Sequence, residues 1–170
     1  MRLFTAVPLP VDVVDAAVAV QRQLATSLRD VKWVERENLH ITLRFIGETD
    51  PERVDRIAMA LDSVATRSPF EVTVDGAGAF PERGGPRVVW LGIGVGAKEL
   101  GVLFHEVERA LRGCGRAPEA RAYRAHVTLG RLRSPGRASD RAPVARFAGR
   151  HFGCFMCDAF RLYRSRLSPR

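Results

Sequence analysis

No apolar run in this chain approaches the roughly 18 residues that a membrane-spanning helix requires. The opening stretch, Met1 to Val7, is too short for the apolar segment of a secretory leader and meets Pro8 and Pro10 at once. Cysteine is scarce: three residues, an odd count that excludes a disulfide framework. These absences predict a cytoplasmic protein. Cys154 and Cys157 form a C-x-x-C, but no second pair exists to complete a structural zinc site. They fall on an expected strand, where residues three apart face opposite ways, so they read as small buried hydrophobes. No Gly-Lys-Ser/Thr occurs, which excludes a P-loop. The glycines at 92, 94 and 96 follow a strand and precede a helix, yet the third comes one residue early for a dinucleotide fingerprint. No acid lies about twenty residues on to hold a ribose.

What remains is a chain of 170 residues, 46% hydrophobic and 27% charged, the profile of one globular domain. Its net charge is +8, and lysine contributes little, since 25 of the 27 basic residues are arginine. The charge is unevenly placed. Residues 1–86 hold 10 basic and 13 acidic residues, net −3, whereas residues 87–170 hold 17 and 6, net +11. A basic half points to a polyanionic partner, nucleic acid first, although arginine-rich solvated surfaces look the same.

Hydrophobic periodicity predicts helices over 11–28, from about Pro51 to Arg67, and over 98–112, with a short one within 141–149. Asp50 followed by Pro51 reads as the cap and first position of the second helix. Strands are expected over 2–9, 31–34, 39–46, 70–75, 87–95 and 123–132. Residues 152–167 read as one long strand or two broken ones. A turn rich in Gly and Pro separates strands at 81–86. The order is α+β, in two approximate half-repeats, 1–86 and 87–170.

Two of the four histidines share a local pattern: Leu39-His40-Ile41-Thr42-Leu43 and Ala125-His126-Val127-Thr128-Leu129. Both fall on expected strands, where residues i and i+2 share a face. Each motif therefore presents an imidazole beside a hydroxyl, with apolar residues anchoring the other face. Two imidazoles can divide a proton transfer, one accepting and one donating near neutral pH. Two threonine hydroxyls can donate to the non-bridging oxygens of a phosphodiester held between them. The chemistry requires no metal, and the motifs lack His-x-His or His/Asp ligand clusters. His105 and His151 lack the pattern and read as structural.

The paired motifs resemble the two-histidine (2H) phosphoesterases. The flanking segments Arg2–Pro10, Lys32–Gly47, Gly78–Pro81, Val89–Gly92, Tyr123–Arg131 and Tyr163–Ser168 are similar to bacterial and archaeal RNA 2′,3′-cyclic phosphodiesterases, also called 2′-5′ RNA ligases. That resemblance implies two pseudo-symmetric lobes, each an antiparallel sheet with helices, around a central cleft. It implies hydrolysis of RNA 2′,3′-cyclic phosphate ends to 2′-phosphomonoesters without metal or cofactor. His126 is then the proton acceptor, His40 the proton donor, and Thr42 and Thr128 the phosphate-binding residues. ATP-independent 2′-5′ ligation in the same site and a noncatalytic RNA-binding module are the alternatives. Members usually continue past Leu167-Ser168 with a further strand, whereas this sequence stops at Arg170, so either that strand lies beyond the given sequence or the sheet of one lobe is a strand shorter.

Regular alternation turns Arg131 away from His126 and Thr128. Only a bulge would bring it to RNA, and otherwise it is a surface salt-bridge residue. Phe45 is a possible base-stacking ring, with a core position the plainer reading. A monomer is expected, because a two-lobed chain completes its own cleft.

Overall fold

A computed structural model describes residues 1–64 and 68–165. Alternating apolar and polar side chains build eight strands: β1 (Arg2–Pro8), β2 (Val31–Trp33), β3 (His40–Glu48), β4 (Phe70–Phe80), β5 (Val88–Ile93), β6 (His126–Leu132), β7 (His151–Cys157) and β8 (Arg161–Ser165). Segments of helical period form α1 (Val11–Ala25), α2 (Val54–Asp62), α3 (Ala97–Gly113) and α4 (Arg141–Ala145).

The strands join one sheet in the order β7-β4-β5-β6-β3-β1-β8, with β2 added against β6. Every pairing is antiparallel. The sheet has two groups, β8-β1-β3 and β6-β5-β4-β7, and β3 meets β6 at a single registered pair, Ile41 opposite Val127. The chain crosses between groups. β4 precedes residue 86 yet pairs with β5 and β7, while the final described strand, β8, returns to pair with β1.

Helices cover one side of the sheet. α1 packs over β6 and β7 through Val13, Ala17, Val20 and Leu24, and α3 packs over β3 through Leu100, Leu103, Val107 and Leu111. Each large apolar side chain among them, fully buried, contributes about 1.5–3 kcal/mol by leaving water. Ile41, Leu43, Val127 and Leu129 complete this layer from the motif strands. The opposite faces of those strands remain open for chemistry.

Several boundaries differ from the sequence reading. Asp50 makes no side-chain cap; Pro51–Arg53 forms a 3-10 turn and α2 starts only at Val54. The expected end of that helix at Arg67 lies outside the described residues. β4 runs on to Phe80, and its Val72, Thr73 and Val74 are all buried, so strict half-burial does not hold. The tail is two strands at opposite regions of the sheet. Cys154 and Cys157 diverge as expected, but only Cys157 is buried; Cys154 is exposed. The expectation of a missing further strand concerns residues beyond 165, outside the described ones.

Candidate active site

The register of β3 against β6 carries the site. With Ile41 opposite Val127, one step either way sets His40 against Thr128 and Thr42 against His126. All four point away from the buried Ile41 and Val127, because side chains alternate along a strand. The sheet junction is thus a local two-fold arrangement of two imidazoles and two hydroxyls.

Each ring is held by its own strand entry. His40 Nδ1 donates to the Asn38 carbonyl at 2.7 Å, and His126 Nδ1 donates to the Arg124 carbonyl at 2.7 Å. A carbonyl only accepts, so both neutral rings carry their proton on Nδ1 and leave Nε2 for chemistry. His40 Nε2 lies 3.0 Å from Thr42 Oγ1. Nε2 of His126 has no partner among the described residues.

Burial lowers the pKa of both imidazoles below 6.5. For His40 the Asn38 carbonyl opposes this and the charge of His126 adds to it. For His126 the Arg124 carbonyl opposes it, while the guanidinium charges of Arg131 and Arg124 add to it.

Aromatic rings flank each histidine. Phe4 lies 5.0 Å from His40 between ring centroids and stacks on Tyr163 at 5.2 Å. In the other lobe Phe80 meets His126 edge-on at 5.2 Å, Trp90 stands 6.4 Å away, and Arg124 lies 4.8 Å over Trp90. Gly78 makes room for that indole, since a Cβ there would fall 2.3 Å from a Trp90 ring carbon. The run of alternate glycines after β5 has a similar packing cause: a Cβ at Gly94 would strike the Asp75 carboxylate at 2.2 Å.

Bulges decide the two remaining expectations. In β3, Thr5 pairs with Arg44 but Ala6 pairs with Thr42, so Leu43 is an extra residue. That shift returns Phe45 to the face of Thr42, where it is 57% exposed, and the core position is corrected. In β6, Val89 pairs with Gly130 but Trp90 with Thr128, so Leu129 is extra. Arg131 is thereby turned onto the cleft side instead of away from it. Phe45 and Arg131 line one cavity of about 750 Å³ with His40, Thr42, Thr128, Phe4 and Tyr163. His126 stands beside this cavity rather than in its lining.

The sequence reading missed the residues that brace the bulges. Arg44, displaced from the cleft face, pairs through Nε with the buried Glu108 of α3 and bonds the carbonyls of Phe45 and Ala117. Tyr123 donates to the Thr42 carbonyl at 3.2 Å. Buried Gln21 donates to the carbonyls of Val34 and the bulged Leu129, both at 2.8 Å. Glutamine within an apolar helical face was the one visible signal. His151, exposed, pairs with Asp75 at 2.6 Å, and His105 is exposed on α3. Neither joins the paired motifs.

The sheet junction with one His-x-Thr pair from each strand group is the architecture of a two-histidine phosphoesterase. A crystal structure from Thermus thermophilus superposes with a TM-score of 0.83 and 29% identity, covering 99% of this chain and 91% of that one. A protein of Archaeoglobus fulgidus named RNA 2′,3′-cyclic phosphodiesterase is 37% identical over 171 residues, spanning all of this chain and 94% of the relative. One of the same name from Methanocaldococcus jannaschii is 32% identical, spanning 99% and 94%. The family model of LigT-like phosphoesterases matches residues 7–90 and 93–170, and this chain belongs to that family.

Proposed function

We propose that this protein hydrolyses the 2′,3′-cyclic phosphate ends of RNA to 2′-phosphomonoesters by acid/base catalysis without a metal. The observation that carries it is the pair of His-x-Thr faces meeting at Ile41 and Val127, each ring fixed with Nε2 free of the backbone. The name shared by the relatives from A. fulgidus and M. jannaschii supports the same substrate.

In this reading Thr42 and Thr128 donate their hydroxyls to the non-bridging phosphate oxygens. His126 Nε2 takes a proton from water, whose oxygen attacks phosphorus. The P–O3′ bond breaks and the proton on His40 Nε2 passes to O3′. The assignment of roles, His126 as acceptor and His40 as donor, is the one the family resemblance implies. Two guanidinium charges oppose a proton on His126, and the charge of His126 opposes one on His40. Arg131 adds positive potential to the phosphate site, and Phe45 offers a face for the terminal base.

Incubation of a 2′,3′-cyclic nucleotide with excess EDTA, followed by phosphorus NMR, tests this reading. A 2′-monophosphate is expected, absent with His40→Ala and with His126→Ala. Product that requires metal, or that survives both substitutions, overturns it. No helix among the described residues is long and apolar enough to cross a membrane. The cytoplasm and a monomeric state complete the proposal.

A further inference from the structure

Beside the main cavity lies a second trough of about 490 Å³ that shares Phe4, Asn38, His40 and Tyr163 with it. The stacked rings of Phe4 and Tyr163 are the ridge between the two. Beyond the ridge the wall is apolar, formed by Pro8, Leu9, Val11 and Val14. Val11 is 68% exposed there, although it opens a helix whose Val13 and Val20 face inward.

The charges of the trough are specific. Arg36 is neutralised by Asp15, and Glu37 adds a carboxylate at the rim. The Arg161 guanidinium is exposed and has no ion-pair or hydrogen-bond partner among the described residues, its backbone pairing with Ala6 of β1. It shares a face with Tyr163, two residues along β8, and therefore opens toward the ridge. One cation with no ion-pair partner, beside an apolar wall and a stacked ring pair, suits a nucleotide: the base against the apolar wall, one phosphate on the guanidinium, away from the Glu37 carboxylate at the rim. A long basic track would instead need several free cations.

We propose that this trough holds the nucleotide on the 5′ side of the cyclic-phosphate-bearing residue. Its base lies against Val11 and Val14, and Arg161 contacts the phosphate joining it to the terminal nucleoside. The inference rests on the proposed function and extends it to substrate length: the protein prefers an RNA strand to a mononucleotide.

The test compares kcat/KM on a mononucleoside 2′,3′-cyclic phosphate and on a trinucleotide with the same end. The wild type favours the trinucleotide roughly tenfold, the size expected for one stacked base. Arg161→Gln and Val11→Asp each reduce that preference toward one, through KM on the trinucleotide, and leave mononucleotide turnover unchanged. For Arg161→Gln, the slope of log KM against log salt on the trinucleotide also falls by about 0.7, one phosphate contact on a single strand. Equal rates on both substrates in the wild type, or variants that slow both substrates alike, overturn the trough. Wild type inactive on both substrates overturns the proposed function itself.

Discussion

An imidazole removed from water prefers to be neutral, and both site histidines are in that position. The working state of the proposed mechanism nevertheless needs one proton on the pair. Because both pKa values lie below 6.5, the singly protonated pair is most populated on the acid side of that value. The kcat/KM profile is therefore expected to be a bell with its maximum below pH 6.5, reporting the pair rather than either ring. A rate flat from about pH 5 to 8 contradicts this. The same shifts affect stability. The unfolded chain takes up protons below about pH 6.5 that the folded histidines resist, so stability falls as pH falls through that range. His126→Asn removes one such group, and thermal melts between about pH 7 and 5 are expected to show a shallower loss. Thr128→Val deletes the proposed donor to phosphate and keeps a β-branched residue on its strand. It should lower kcat/KM by about tenfold to a hundredfold, read in the same hydrolysis assay.

Elements matter here through their irregularities. Each motif strand carries an extra residue just after its threonine, Leu43 in one and Leu129 in the other. The consequence is the same in both lobes: the third residue after the threonine, Phe45 or Arg131, rejoins the cleft face. Side chains brace both bulges. Arg44, held by Glu108 of α3, bonds the Phe45 carbonyl in one lobe, and in the other Gln21 of α1 adds a second donor to the Leu129 carbonyl, which already accepts from the Val34 amide. Glu108→Gln leaves Arg44 with Glu119, at 3.6 Å, as its remaining counter-charge, and a loss of about 1–3 kcal/mol is expected in denaturant unfolding. Gly78→Ala is a different kind of test. Its methyl displaces the Trp90 indole that borders His126. Altered tryptophan fluorescence together with reduced turnover is expected, and unchanged values for both contradict the placement.

For the whole molecule, most of the excess positive charge lies away from the bond-breaking step, with Arg131 and Arg124 the arginines whose charges reach His126. Arg131 lines the cavity, while Arg133 and Arg137 lie exposed in the loop after β6. Weaker trinucleotide binding in rising salt, seen as a growing KM with kcat little changed, is the expected signature of steering by this field. Sedimentation at the mass of one chain, 18.8 kDa, is expected if the two strand groups of a single protein complete the cleft.

Much of this was readable from residue order, because a strand repeats every two residues. That period alone put His40 with Thr42 and His126 with Thr128 on common faces, and helical spacing identified the inward residues of α1 and α3. The tertiary structure decided what local spacing cannot encode. The register that sets Ile41 against Val127 joins residues 86 positions apart in sequence. The bulges that expose Phe45 and turn Arg131 inward depend on partner strands. The placement of Phe4 and Tyr163 beside one histidine, and of Phe80 and Trp90 beside the other, follows from long-range pairing that brings β8 back to β1 and β4 over to β5. Alternation is a property of a few consecutive residues, whereas register and bulges minimise the energy of strands that meet only after the chain has folded.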